Sequence, residues 1–174
     1  MPELLYWLVS PIFDVVPIFG LISLLITSSS ASAATFYVAK NGNDNNSGTL
    51  AQPFLTIAQG IAALGSGDTL LIRTGVYNES IITGWPVYQN LASGTSWTNA
   101  TTIAAYQDEE VILRPYGGGG IIDFKSDEPS GFLQYVIIDR LILDGINAGS
   151  VGVNIQGGPH HIRLQNCGSK RYLQ

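Results

Sequence analysis

A single cysteine, Cys167, in 174 residues excludes any intrachain disulfide, so packing and hydrogen bonding must hold this chain together. Charge is also scarce: Asp, Glu, Lys and Arg supply 12% of the residues. They form no basic patch and no basic stripe interleaved with aromatics, which leaves no footprint for nucleic acid. The two histidines are neighbours, His160 and His161. Adjacent strand residues point to opposite faces, so a metal site using both from one side is not expected. No third ligand follows at a useful spacing either. The sequence has no G-x-S-x-G elbow for a nucleophilic serine. The run Gly117 to Gly120 lacks the strand-GxxxxGK[ST]-helix setting of a phosphate cradle, so it reads as a loop.

The first 34 residues are set apart by their own composition. Val15 to Ile26 is a short apolar core, followed by Ser and Ala residues in which Ala31 and Ala33 fit a cleavage site. This marks 1–34 as a secretory signal peptide, and so predicts a secreted, extracellular or cell-surface protein. The segment lacks Lys and Arg and carries Glu3 and Asp14. An uncleaved membrane anchor over Leu4 to Ile26 is the alternative, disfavoured by Asp14, Pro11 and Pro17 within the span. The remaining residues hold 8 basic against 11 acidic side chains, a net charge of −3. Sequons stand at Asn45, Asn78 and Asn99. Cys167 is expected to be buried as a small hydrophobe.

What the chain does have is 45% hydrophobic residues and 20 glycines, the make-up of a strand-rich fold with many tight turns. Phe36 to Ala39 reads as a strand, and Asn41 to Gly48 as a dense turn. Asp44 is the only carboxylate of that turn, too little charge for a calcium loop. From Pro53 a helix is expected, with Phe54, Ile57, Ala58, Ile61, Ala62 and Leu64 as its apolar stripe. Gly60 weakens it, and Gly65 and Gly67 end it. Short strands then recur: Thr69–Arg73, Ser80–Thr83, Thr102–Tyr106, Val111–Arg114, Ile121–Phe124, Tyr135–Ile138, Arg140–Leu143, Val151–Ile155 and His161–Leu164.

Internal repetition separates a solenoid from a sandwich. Leu71-Ile72 matches Ile103-Ala104 some 32 residues on, and Val136 to Leu141 matches Ile162 to Cys167 some 26 residues on. In the second register Val136 faces Ile162, Ile138 faces Leu164 and Leu141 faces Cys167, as stacked parallel strands require. Asn166 falls at a turn opposite Arg140.

The opening block Tyr37-Val-Ala-Lys-Asn-Gly-Asn-Asp, with Gln52-Pro53-Phe54, Gly67-Asp68-Thr69 and Gly75-Val-Tyr77, resembles the start of secreted right-handed parallel β-helix proteins of pectate-lyase-like fold. The resemblance implies an all-β, right-handed parallel β-helix with an N-terminal amphipathic capping helix. The cap would occupy 35–68, with about four coils over 69–174, together the N-terminal part of one β-helix domain. The end of the chain reads as a truncation. The resemblance also implies a carbohydrate-acting protein, a polysaccharide lyase or glycoside hydrolase on acidic polysaccharide such as pectate, with catalytic coils and any Ca²⁺ site beyond Gln174. The alternative is a non-catalytic surface or adhesion solenoid.

Site chemistry is thinly marked. Asp139, Arg140, Asp144 and Arg163 are the only cluster able to approximate a lyase's carboxylates and base, and a solvated ion pair at a turn is the competing reading. Trp85, Tyr88 and Trp97, in the insertion from Gly84 to Ala100, are candidates for stacking on sugar rings, against a role as a cover for the core.

Overall fold

The computed structural model describes residues 32–83, 89–117, 120–125, 132–148 and 152–170. Their strands form three parallel sheets, of five, three and four strands. One sheet, here sheet A, runs β1 (Thr35–Val38), β2 (Thr69–Ile72), β5 (Thr101–Ala105), β8 (Gln134–Asp139) and β11 (His160–Gln165). Sheet B runs β3 (Gly75–Tyr77), β6 (Val111–Leu113), β9 (Ile142–Asp144) and β12 (Gly168–Lys170). Sheet C runs β4 (Ile81–Thr83), β7 (Ile122–Lys125) and β10 (Val153–Gln156). From β2 onwards the chain visits A, B and C in turn before returning to A one strand further on. That is a parallel β-helix.

The core is built from stacked inward residues. Leu70, Ile103 and Ile138 share one row of sheet A, and Tyr77, Leu113 and Leu143 one row of sheet B. Ile81 and Ile122 on sheet C are buried in the same cluster. The later register stands as read: Val136 pairs with Ile162 and Ile138 with Leu164. Leu141 and Cys167 join the same core, Cys167 only partly buried. The earlier register is corrected by one residue, because Ile103 pairs with Leu70 and Ala104 with Leu71. Thr69-Leu-Leu-Ile72 has no polar alternation to show its phase, and a one-residue slip exchanges the two faces. Strands β3 and β12 were not anticipated as strands; each is only three residues long.

The helix α1 spans Ile57–Ala63, shorter than expected. Thr56 is its N-cap, accepting from the Gln59 N–H. Pro53 and Phe54 lie outside it: Phe54 bridges Val38 as an extended residue. Ile57, Gly60 and Ile61 form the buried face, while Ala58 and Ala62 are exposed, which corrects the expected stripe. Gly60 is there for close approach: a Cβ on it would stand 2.6 Å from Leu70 Cδ1 and 2.9 Å from Val38 Cγ2. Leu64, in extended conformation, ends the helix. Asp44 is a structural staple. Its Oδ1 accepts from the Leu55 and Thr56 N–H groups at 2.9 Å and its Oδ2 from the Thr56 hydroxyl at 3.0 Å.

Polar side chains also tie the turns between sheets A and B. Arg140 and Asn166 occupy equivalent positions, both left-handed at φ 55° and 53°, and the Asn166 amide donates to Asp139 Oδ1 at 2.8 Å. Two coils earlier, Arg73 Nε donates to both Glu109 carboxylate oxygens at 2.9 Å, and the Thr74 N–H donates to Glu109 Oε2 at 2.7 Å. This hydrogen bonding holds the Glu109 carboxyl below its ordinary range and raises Arg73. Tyr77, whose hydroxyl donates to the Arg73 carbonyl at 2.9 Å, is pushed well above the usual phenol range by burial. Residues 1–31, and with them most of the expected leader, fall outside the described residues. Among those described, no helix is long and apolar enough to cross a membrane.

Candidate functional site

The outer face of sheet A carries a feature that alternation alone cannot build. Leu133 and Val136 are both buried, with Gln134 and Tyr135 between them. A strand of strict period two would send Leu133 and Val136 to opposite faces. Tyr135 resolves this by adopting a left-handed conformation, φ 51°, and His161 does the same one coil later at φ 56°. The pairing around them is undisturbed, with Gln134 opposite His160 and Val136 opposite Ile162. The Tyr135 and His161 rings therefore stack, their centroids 4.5 Å apart and planes inclined by 27°.

A hairpin brings a third ring. Ser96 and Asn99 form a bridge, the Thr95 N–H donates to the Asn99 carbonyl at 3.1 Å, and Trp97 sits at the tip. The hairpin docks on β8 because the Gly94 N–H donates to the Gln134 carbonyl at 3.0 Å and the Gln134 N–H donates to Ser93 Oγ at 3.2 Å. Only glycine fits at 94, where a Cβ would lie 2.6 Å from the carbonyl oxygens of Asn99 and Tyr135. Trp97 consequently meets Tyr135 edge-on at 5.5 Å and His161 at 6.0 Å. The Arg163 guanidinium carbon lies 4.2 Å from the centre of the Trp97 ring. His160 extends the group, 4.8 Å from His161 and 6.4 Å from Phe132. Phe132 and Trp97 keep 52% and 39% of their surface exposed. The result is a solvent-facing aromatic belt with a cation on it.

Each residue anticipated from the sequence now has a place. Trp97 is in the belt; Trp85 and Tyr88 lie outside the described residues. The suggested cluster of Asp139, Arg140, Asp144 and Arg163 is divided among different partners. Asp139 and Arg140 form an ion pair with each other at 3.5 Å, at the turn after β8. Asp144 is fully buried and held by Arg114, whose Nε donates to Oδ2 at 2.8 Å. Arg163 lies over Trp97. Among the described residues no group of three or more His, Cys, Asp or Glu side chains is arranged to hold a metal ion.

Two features escaped the sequence. The expectation that His160 and His161 point apart is overturned, because the left-handed backbone at 161 breaks strand alternation and brings both rings together. Phe132, Tyr135 and the histidines carried no signal as a group, being spread over two coils. The second feature is a polar ladder on the outer face of sheet C. Asp123, 7% exposed, accepts from the Asn154 amide at 2.7 Å and pairs with the Lys125 ammonium at 2.8 Å. Alternation in Ile122-Asp-Phe-Lys125 marks Asp123 as outward, and that signal was available.

Residues 40–95 match the family model described as a protein of unknown function, DUF1565. Among curated proteins, the chain is 25% identical over 138 residues to the uncharacterized protein YwoF of Bacillus subtilis (strain 168). That alignment covers 75% of this chain and 27% of the relative, so the chain spans about a quarter of the relative's length. Among solved structures, the complex structure of XylC with xylose matches at 33% identity and a TM-score of 0.39, covering 45% of this chain and 11% of that one.

Proposed function

We propose that this chain is part of an extracellular carbohydrate-acting β-helix protein, and that the belt on sheet A holds a polysaccharide. One observation carries the reading: rings from two coils and one docked hairpin converge on a single exposed surface instead of entering the core. The C–H faces of sugar rings stack on flat aromatic surfaces, and exposed aromatic groups of this extent mark binding sites. Arg163 is a cationic side chain on the belt, which favours a carboxylated sugar. The proposed ligand is therefore an acidic polysaccharide such as pectate. Cleavage of it, by lyase or hydrolase chemistry, is proposed only for a protein of the relative's length, of which this chain spans about a quarter.

The test is titration calorimetry with tetragalacturonate and, as a neutral control, xylotetraose. Binding of tetragalacturonate in preference to xylotetraose, weakened about tenfold by Trp97→Ala as the loss of one stacked ring implies, supports the reading. Equal affinity of wild type and Trp97→Ala would overturn it.

A further inference from the structure

We infer that Tyr135 and His161 are positioning residues whose left-handed backbone, repeated on neighbouring coils, assembles the belt. The inference rests on the proposed sugar-binding reading for its function, though not for its geometry.

Left-handed φ values are unfavourable for residues with a Cβ; histidine adopts them more readily than most, but the tyrosine ring does nothing to relieve them. Here two occur 26 positions apart, φ 51° and 56°, flanked by undisturbed parallel pairing on both sides. A recurring unfavourable conformation must be sustained by the structure around it, and such conformations gather at binding sites. Its local effect is specific. It lets Leu133 and Val136 both face the core, leaving two successive side chains outside on each coil: Gln134 with Tyr135, and His160 with His161. An extended residue at 161 would put the His160 and His161 rings on opposite faces. Instead their centroids are 4.8 Å apart. The Trp97 hairpin depends on the same backbone, since its docking bonds go to Gln134 and Gly94 abuts the Tyr135 carbonyl.

The experiment compares His161→Asn with His161→Val. Both remove the ring, but asparagine tolerates a left-handed backbone and a β-branched residue does not. The first readout needs no sugar: the ring-proton chemical shifts of His160 in the free protein, which neighbouring rings displace. The second is affinity for tetragalacturonate. The expected result is that His161→Asn keeps the His160 shift close to wild type apart from the lost neighbouring ring, and loses about three- to tenfold in affinity, one stacking contact. His161→Val should move the His160 shift further and lose about another five- to thirtyfold, the scale of a left-handed penalty. If His161→Val does not fold, His161→Ala and the pair Tyr135→Asn and Tyr135→Ala serve the same comparison. Identical His160 shifts and identical affinities in the two variants would overturn the inference. A difference in shifts with no tetragalacturonate binding by any form, wild type included, would uphold the positioning role and sink the sugar reading.

Discussion

Replacing Gly94 by alanine tests whether the Trp97 hairpin is held as described. The added Cβ would meet the Asn99 and Tyr135 carbonyl oxygens at 2.6 Å and the Ala100 Cα at 2.7 Å. All three are backbone atoms, so no rotamer change can relieve the contacts. Accommodating them within the docked structure costs about 1–3 kcal/mol by the measure of overpacked sites. The alternative is for the hairpin to lift off. It would then lose the hydrogen bonds joining Gly94 and Ser93 to Gln134, about 1 kcal/mol each. The edge-on contact of Trp97 with Tyr135 adds about 1 kcal/mol more. The loss is therefore about 1–3 kcal/mol, with undocking as the upper bound. Urea denaturation should show the lower midpoint at an unchanged slope. In a Trp7→Phe, Trp85→Phe background, Trp97 emission should shift to the red and become quenchable by iodide. A Gly94→Ala protein within about 0.5 kcal/mol of wild type, the scale of an unremarkable surface change, with unaltered Trp97 emission, would refute the reasoning.

Other sites give equally definite outcomes. Gly60→Ala should destabilise by about 1 kcal/mol in denaturant titration, because overpacking against Leu70 and Val38 exceeds the helix-propensity gain that alanine brings. Asp44→Ala should cost about 2 kcal/mol by the same assay, since it strips the partners from the Leu55 and Thr56 N–H groups at the helix entry. Glu109 has a folded-state pKa below its unfolded one, so its contribution is present above the unfolded carboxylate range and is lost as pH falls through the folded value. The wild type should thus lose about 1 kcal/mol more than Glu109→Gln between neutral pH and pH 3, since the ion pair is partly solvent-screened. Equal pH dependence of the two proteins would contradict that assignment.

The fold could be read where apolar residues alternate with polar ones or recur at one spacing. Val136, Ile138 and Leu141 echo Ile162, Leu164 and Cys167, and the coils stack in that register. Where both faces are apolar, as in Thr69 to Ile72 against Thr101 to Ala105, phase was invisible and the alignment slipped by one. Gly60 looked like a defect in a helix because sequence shows propensity but not the neighbour that comes within reach. The belt was legible only at Trp97. Nothing in Tyr135 marks it as left-handed and His161 is only weakly marked, whereas Asn166 announced its turn by residue type. Asp139, Arg140, Asp144 and Arg163 looked like a cluster because they are close in number along successive coils. Distinct partners at the turn, in sheet B and over Trp97 separate their roles.

The most direct test of the sugar-binding belt is a map of NMR shift changes as tetragalacturonate is added to the protein. The account predicts that the largest changes fall on the Trp97 indole N–H, Tyr135, His160, His161 and Arg163. Changes centred on Asp123, Lys125 and Asn154 of sheet C, with the belt unmoved, would contradict it.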